Sequence, residues 1–320
     1  MTKIVVTGGA GFLGDRLIRR LLDAADNGDA PLPFDQVVSL DLVPSRIDDR
    51  RVESVVGDLS DAGVLRSAVT ADTAAVYHLA AVLSGGSASD FDLSMRVNVD
   101  GTRHLLEAAR ASGGCPKFIF TSSLAVFGGQ MPEVVTDQWA QQPDSTYGAF
   151  KAVGELLVNE YSRKNFIDGR ICRLPTISVR PGKPNSAASS FASGIIREPL
   201  AGVPTTCPVP HDTRMWLSSP ESAVTNLVHA LEVSADHLGQ WRGMNIPGIS
   251  VTVGEMLATL ERVCGAEARH LVTDEPDAEV MEIVCSWPGD FQVQHLLELG
   301  FVRDESFDDV VRQYQEEFVS

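Results

Sequence analysis

Residues 3–25 read KIVVTGGAGFLGDRLIRRLLDAA. Ile4, Val5 and Val6 form a short apolar run closed by glycines, the pattern of a buried parallel strand. Thr7-Gly8-Gly9-Ala10-Gly11-Phe12-Leu13-Gly14 follows directly, and Leu17, Ile18, Leu21 and Leu22 then recur at helical spacing. Strand, glycine turn and helix in that order form a cradle for a pyrophosphate. Gly8 permits the tight turn, Gly11 lets the backbone approach the phosphates, and Gly14 lets the helix lie close to the strand. The free N–H groups and positive dipole end of the helix meet the anion. A bare glycine match is weak evidence; the strand before it and the helix after it make this one a dinucleotide site.

Outward from this turn the same rhythm continues. A polar, proline-bearing insertion, DNGDAPLPFD, reads as a surface loop. Gln36 to Leu40 gives a second strand ending at Asp41, and Val52 to Val56 a third, closed by Gly57-Asp58-Leu59. Val64 to Val69 fits a helix, and Ala74 to Leu79 a fourth strand. A glycine-serine loop from Ser84 to Ser89 leads into a long helix, Phe91 to Ala111. Lys117 to Thr121 is a fifth strand, Tyr147 to Lys164 a second long helix, and Arg170 to Leu174 a sixth strand. This alternation predicts an α/β fold with a doubly wound parallel sheet, the Rossmann architecture, holding its ligands at the carboxyl ends of the strands.

After Pro175 the rhythm breaks: prolines crowd together and the apolar runs shorten. Helical patterns return at Glu221 to Leu231, Val253 to Val263 and the C-terminal tail. The expected division is a nucleotide domain of residues 1–175 plus about 219–248, with a smaller, mostly C-terminal substrate lobe of about 176–218 plus 249–320.

Composition narrows the partners. The 320 residues are 44% hydrophobic and 22% charged, enough for a large core. A formal charge of −17 argues against nucleic acid, whose phosphates would be repelled. No apolar run approaches the ~20 residues that span a bilayer, and the first strand begins without a signal peptide, so no membrane partner is expected. Five cysteines without a Cys-x-x-Cys pair suit reduced thiols in a cytoplasmic protein. Neither a metal-ligand spacing nor an internal repeat is present, so no metal is expected.

Ser122 and Ser123 follow the fifth strand at its carboxyl end. Tyr147 and Lys151 are four apart at the start of a helix and share one face. The set suits proton transfer coupled to redox chemistry on an alcohol. A tyrosine of pKa ~10 must be lowered by roughly two to three units to act as a base near neutrality. One adjacent cation supplies about one to three units, so Lys151 and an oxidised nicotinamide together suffice. The Ser123 hydroxyl can hold the substrate oxygen.

With these residues in place, the chain resembles the extended short-chain dehydrogenase/reductases, the group that contains the nucleotide-sugar epimerases and dehydratases. Phe118-Ile-Phe-Thr-Ser-Ser-Leu-Ala-Val-Phe-Gly128 looks like that family's active-site serine strand. Ser123 matches its catalytic hydroxyl, and Tyr147 and Lys151 its Tyr-x-x-x-Lys pair. Gly8, Gly11 and Gly14 match its glycine loop, with Phe12 and Leu13 beside them. The resemblance implies adenine contacts from Asp58-Leu59 and passage of the cofactor along Leu79-Ala80-Ala81. It further implies an asparagine, Asn98, fixing the helix beside the site, with Ser122 and Pro175 along the cofactor. Phe127 stands where many relatives have tyrosine. Ser178 to Gly202 resembles one subgroup, the D-erythronate dehydrogenases, which oxidise the C2 hydroxyl of a four-carbon sugar acid. The resemblance carries that substrate; spacing and composition do not.

Asp41 ends the second strand, where a carboxylate takes both ribose hydroxyls and repels a 2′-phosphate, so NAD is the expected cofactor. Arg46 nearby is the counter-argument, as it could greet a phosphate. Arg180 and Arg214 are candidates for gripping a substrate carboxylate bidentately, each with a surface ion pair as its alternative. Ser84 belongs at the mouth of the site in this family. His78 and His211 read as structural. A dimer is expected through the two long helices, using Leu93, Val97, Leu105, Val153 and Leu157. Two other functions compete: a nucleotide-sugar epimerase or dehydratase that recycles its cofactor, and a non-catalytic nucleotide sensor. Leu124 and Ala125 after Ser123 weaken a dehydratase, and intact Ser123, Tyr147 and Lys151 weaken a sensor.

Overall fold

Ile4 and Val6 point to one face of the first strand and Val5 to the other, yet all three are fully buried. Such a strand must lie inside a sheet covered on both sides. The computed structural model describes residues 2–183 and 187–319. Its main sheet contains β1 (Lys3–Thr7), β2 (Gln36–Asp41), β3 (Val52–Val56), β4 (Thr73–His78), β5 (Lys117–Ser123) and β6 (Asp168–Leu174). A short strand, Gly243–Asn245, completes seven. The spatial order is Gly243–Asn245, β6, β5, β4, β1, β2, β3, and every pairing is parallel. Strand order therefore reverses between β1 and β4, the crevice where open α/β sheets bind ligands.

One face packs Ile4, Val6 and Tyr77 against Leu17, Ile18 and Leu21 of the helix Phe12–Asn27 and against Val224 and Leu227 of the helix Pro220–His229. The other face packs Val5, Leu40, Val76 and Phe118 against Leu105, Leu106, Ala109 and Val158. Each fully buried aliphatic side chain contributes roughly 1.5–3 kcal/mol. The helix Phe12–Asn27 ends on Gly28 at φ 80°, with Gly28 N–H on Ala25 O at 3.3 Å and Asp29 N–H on Ala24 O at 2.8 Å. This paired left-handed stop starts the insertion where the sequence places it.

A second core lies outside the sheet. It joins Ile195 and Ile196 of the helix Phe191–Leu200 to Met256, Leu257 and Leu260 of the helix Val253–Cys264 and to Val310 and Val311 of the helix Phe307–Phe318. A small sheet of Ile249–Thr252, Arg214–Ser218 and Thr176–Ile177 lines it, and Thr205–Cys207 pairs with Val272–Asp274.

Three expectations need correction. Ser84–Ser89 is a short helix, not a loop, because its serines bond locally: Ser87 Oγ meets Ser94 Oγ at 2.7 Å, and Ser89 Oγ donates to Gly86 O at 3.1 Å. The long helix is broken into Phe91–Ser94, a π-helical stretch Met95–Gly101, and Thr102–Ser112. Leu105 is wholly buried in the sheet core, and Val97 and Leu157 pack against the same core. Of the five residues expected at a dimer face, Val153 is markedly exposed; its exposed apolar neighbours are Phe91 and Leu156.

Candidate active site

A cavity of about 560 Å3 runs along the carboxyl ends of β1, β2, β4 and β5, within the size range of small-molecule sites. At one end stand the three glycines. Gly8 has φ 73°, and a Cβ there would lie 2.9 Å from the Ala80 backbone nitrogen. A Cβ on Gly14 would lie 2.1 Å from Gly8 O. Side chains are thus excluded where the loop folds on itself. Gly11 caps the following helix without any side-chain hydrogen bond, which leaves the helix's first N–H groups for a ligand. Phe12, Leu13, Asp58 and Leu59 line the same end. Bare amides in a closed glycine cradle fit a pyrophosphate.

Asp41 lines this end, its Oδ2 accepting Ala10 N–H at 3.1 Å and its Oδ1 accepting Leu42 N–H at 2.7 Å. Arg46 is outside the cavity, beyond the glycine turn among Arg16, Arg19 and Arg20. Asp58 Oδ1 accepts Ser60 N–H at 2.8 Å, which holds its carboxyl below the usual range. Leu79, Ala80, Ala81 and Pro175 form the apolar middle of the cavity. Asn98 does not line it. It is buried beneath, clamping the backbone of Val82 with Oδ1 on the N–H at 2.8 Å and Nδ2 on the carbonyl at 3.0 Å. Its contribution is to fix the strand end, since both ends of its amide are already used.

At the other end Ser123, Tyr147 and Lys151 come together. Ser145 caps the helix Thr146–Arg163 by accepting Gly148 N–H at 3.1 Å, which sets Tyr147 in the first turn. Gly148 is required here, because a Cβ would lie 1.9 Å from Ala125 O. Burial pushes the Tyr147 phenol up to about 12, opposed by a hydrogen bond with Ser123 and by the charge of Arg180. Lys151 is not among those opposing influences, contrary to expectation. Its Nζ donates to Thr121 O at 2.7 Å and lies 4.9 Å from the Phe120 ring centre, against 5.7 Å for that of Tyr147. The ammonium is anchored to the strand end. Burial pulls Lys151 down to about 8, while the carboxylate of Glu155 raises it.

Ser122 lines the cavity as well, and its hydroxyl donates to Glu155 Oε1 at 2.5 Å. Ser84 lines the cavity and accepts Ala188 N–H at 2.9 Å, tying that wall to the segment carrying Arg180. Arg180 lines the cavity as well, backed by Arg197, whose Nη1 donates to Arg180 O at 2.8 Å. Arg214 does not reach it. It starts the central strand of the small three-stranded sheet opposite Thr252, is exposed, and donates to Ser250 Oγ at 3.2 Å. Trp287 and Ser189 line the same end; the sequence reading missed both, as nothing in local spacing places them there.

His78 is buried between Thr7 Oγ1 at 2.8 Å and Thr102 Oγ1 at 2.9 Å, and burial drives it down to about 3. It is neutral and structural. Away from the cavity, donor atoms of Cys207, His211 and Asp274 lie within 4.8 Å of one another, a grouping the sequence spacing does not reveal. His211 Nε2 bonds Asp274 Oδ1 at 2.9 Å, and Cys207 Sγ donates to Val209 O at 3.4 Å.

Residues 4–219 match the family described as NAD dependent epimerase/dehydratase. The chain belongs to that family. NAD is accordingly its cofactor. Within the family, the chain is 53% identical over 318 residues to a D-erythronate dehydrogenase of Cupriavidus necator, covering 98% of both chains. It is 44% identical to a D-erythronate dehydrogenase of Haemophilus influenzae, covering 98% of this chain and 99% of the relative. A crystal structure titled as a nucleoside-diphosphate-sugar epimerase from Agrobacterium tumefaciens superposes with a TM-score of 0.92 at 38% identity, covering 99% of this chain and 94% of that one. No helix among the described residues is long and apolar enough to cross a membrane.

Proposed function

We propose that this protein oxidises the C2 hydroxyl of D-erythronate to the 2-oxo acid with NAD. The observation that carries the reading is the 53% identity, end to end, to a D-erythronate dehydrogenase. NAD, when bound, supplies the acceptor for the hydrogen and electron pair that leave the alcohol carbon. The chain's own residues do the rest. Ser123 holds the substrate oxygen, and Tyr147, whose charged form the Ser123 hydroxyl favours, takes its proton. A phenol at about 12 is too weakly acidic to serve near neutrality, so positive charge must accumulate beside it on loading. Arg180 already acts in that direction, and Lys151 lines the same cavity. Gly8, Gly11, Gly14 and Asp41 hold the cofactor.

The substrate is an anion and the protein carries −17 overall, so a local cation must offset long-range repulsion. Arg180 is placed for this, with Ser84 beside it; a bidentate, charge-assisted contact is worth ~1.5–3 kcal/mol. The two-lobe division fits the same scheme, with residues 1–175 plus about 219–248 holding cofactor and the remainder supplying substrate contacts. A cytoplasmic homodimer through Phe91, Val153 and Leu156 accounts for their exposure; light scattering should return about twice 34.4 kDa.

The likeness to the Agrobacterium nucleoside-diphosphate-sugar epimerase favours a second reading, nucleotide-sugar epimerisation. One panel separates the two. NADH formation from D-erythronate, with UDP- and GDP-sugars left unchanged, supports the dehydrogenase. Interconversion of nucleotide sugars without net NADH overturns it.

A further inference from the structure

Glu155 and Arg173 are both fully buried, with side chains 0% and 1% exposed. Charges at this depth survive only when paired and saturated with hydrogen bonds. Glu155 is saturated. Its carboxylate accepts Arg173 Nε at 3.0 and 3.1 Å, Arg173 Nη2 at 2.8 Å, Ser122 Oγ at 2.5 Å and Gln141 Nε2. Arg173 Nη1 donates onward to Asp137 O at 2.9 Å and Asn245 Oδ1 at 3.2 Å, and the guanidinium lies 4.9 Å from the Phe127 ring centre. Asp137 in turn accepts Asn245 N–H at 2.6 Å and meets His295 Nε2 at 2.7 Å.

Apolar residues of equal volume commonly serve a fold as well as a buried ion pair does, so this pair calls for another use. Two neighbours indicate it. Ser122 immediately precedes Ser123 on β5, and Lys151 lies one helical turn before Glu155 on the same face. We propose that Glu155, held by Arg173, is a positioning residue for the reaction: it pins the end of β5 through Ser122 and supplies the counter-charge for Lys151.

The groups around Lys151 leave that duty to Glu155. Its own helix presents Tyr147 and Glu155. β5 presents the Thr121 carbonyl and the Phe120 ring. β4 presents His78, whose interaction with Lys151 is repulsive were it charged. The remaining cation of the cavity end, Arg180, adds no negative charge. Glu155 is the carboxylate that raises Lys151 against burial. Without it, Lys151 sits among apolar walls with only a backbone carbonyl.

The inference builds on the dehydrogenase reading, and its test separates the two. The decisive variant is Glu155→Gln combined with Arg173→Met, which removes both members of the buried ion pair together. Acetic anhydride labels unprotonated lysines, so the pH dependence of Lys151 acylation in substrate-free protein, read by mass spectrometry, reports its protonation without any turnover. In the double variant the Lys151 midpoint should fall by at least about one pH unit, while that of the distant, half-exposed Lys117 stays put. In the NADH assay with D-erythronate, kcat should fall at least tenfold, with KM for NAD changed less than threefold. A folded double variant with a wild-type Lys151 midpoint overturns the proposal. If that variant does not fold, Glu155→Asp decides, because it withdraws the charge by one methylene: an unmoved midpoint with full kcat overturns the proposal, and a lowered midpoint with reduced kcat supports it. A wild-type protein that forms no NADH defeats the dehydrogenase reading alone.

Discussion

The two ends of the cavity are built from different materials. The cofactor end is backbone: Gly8, Gly11 and Gly14, bare helix amides, and the strand ends at Asp41, Asp58 and Leu79. The end proposed for the substrate is side chains drawn from distant segments: Ser84, Ser123, Tyr147, Lys151, Arg180 and Trp287. A backbone site tolerates almost no added atoms and, Asp41 apart, depends little on particular side chains. A side-chain site tolerates atoms and depends wholly on which groups converge.

That difference predicts how each end breaks. The largest effect belongs to Tyr147→Phe, which removes the proton acceptor alone. Turnover should fall by about 10²–10⁴-fold, with the calorimetric Kd for NAD within threefold of wild type. A variant keeping a tenth of its turnover would place the base elsewhere.

Gly14→Ala should do the reverse. Its Cβ would sit 2.1 Å from Gly8 O, a backbone atom that cannot rotate aside, so the loop must open. We expect NAD affinity to drop by roughly a hundredfold, about 2.8 kcal/mol. Unchanged affinity would show that the cradle is not closed by backbone contact.

At the substrate end the two arginines give a paired test. Arg180→Ala should raise KM for D-erythronate by about ten- to a hundredfold and leave NAD binding alone. Arg214→Ala, exposed and bonded to Ser250, should change neither. Reversed results would mean that the cavity's charged wall is misassigned.

These contrasts also explain what the sequence disclosed. Glycine spacing encodes backbone geometry directly, so β1, the turn and the first helix were legible residue by residue, as was the pairing of Tyr147 with Lys151 by helical periodicity. Long-range convergence is not written in spacing. Arg180 and Arg214 look alike in sequence, and only the strand pairing that puts Arg214 opposite Thr252 separates them. Ser84–Ser89 has loop composition but is helical, its serines bonding locally to Ser94 and to the Gly86 carbonyl. Gly243–Asn245 is three residues long and owes its strand to β6 alone. Glu155 could have been found, four residues past Lys151 on the same face; without its buried partner Arg173 it reads as an ordinary surface acid.

A stability effect of a different kind concerns His78, buried between Thr7 and Thr102. It is held neutral at about 3 against an ordinary 6.5. A group depressed in the folded state contributes its full stability above the unfolded value and loses it as pH falls, here between about 6.5 and 3. Over that window each pH unit should cost up to about 1.4 kcal/mol. Urea titrations from pH 7 to 4.5 should show this slope, and His78→Gln should flatten it. Equal slopes would mean that other groups govern acid unfolding.

On the proposed function, Tyr147, Ser123 and an NAD held by the glycine cradle together oxidise the C2 alcohol of D-erythronate. The direct measurement is incubation of the protein with NAD and D-erythronate deuterated at C2, followed by mass analysis of the products. The expected product is NADH carrying one deuterium per molecule of 2-oxo acid formed. Unlabelled NADH, or no NADH from this substrate, would contradict it.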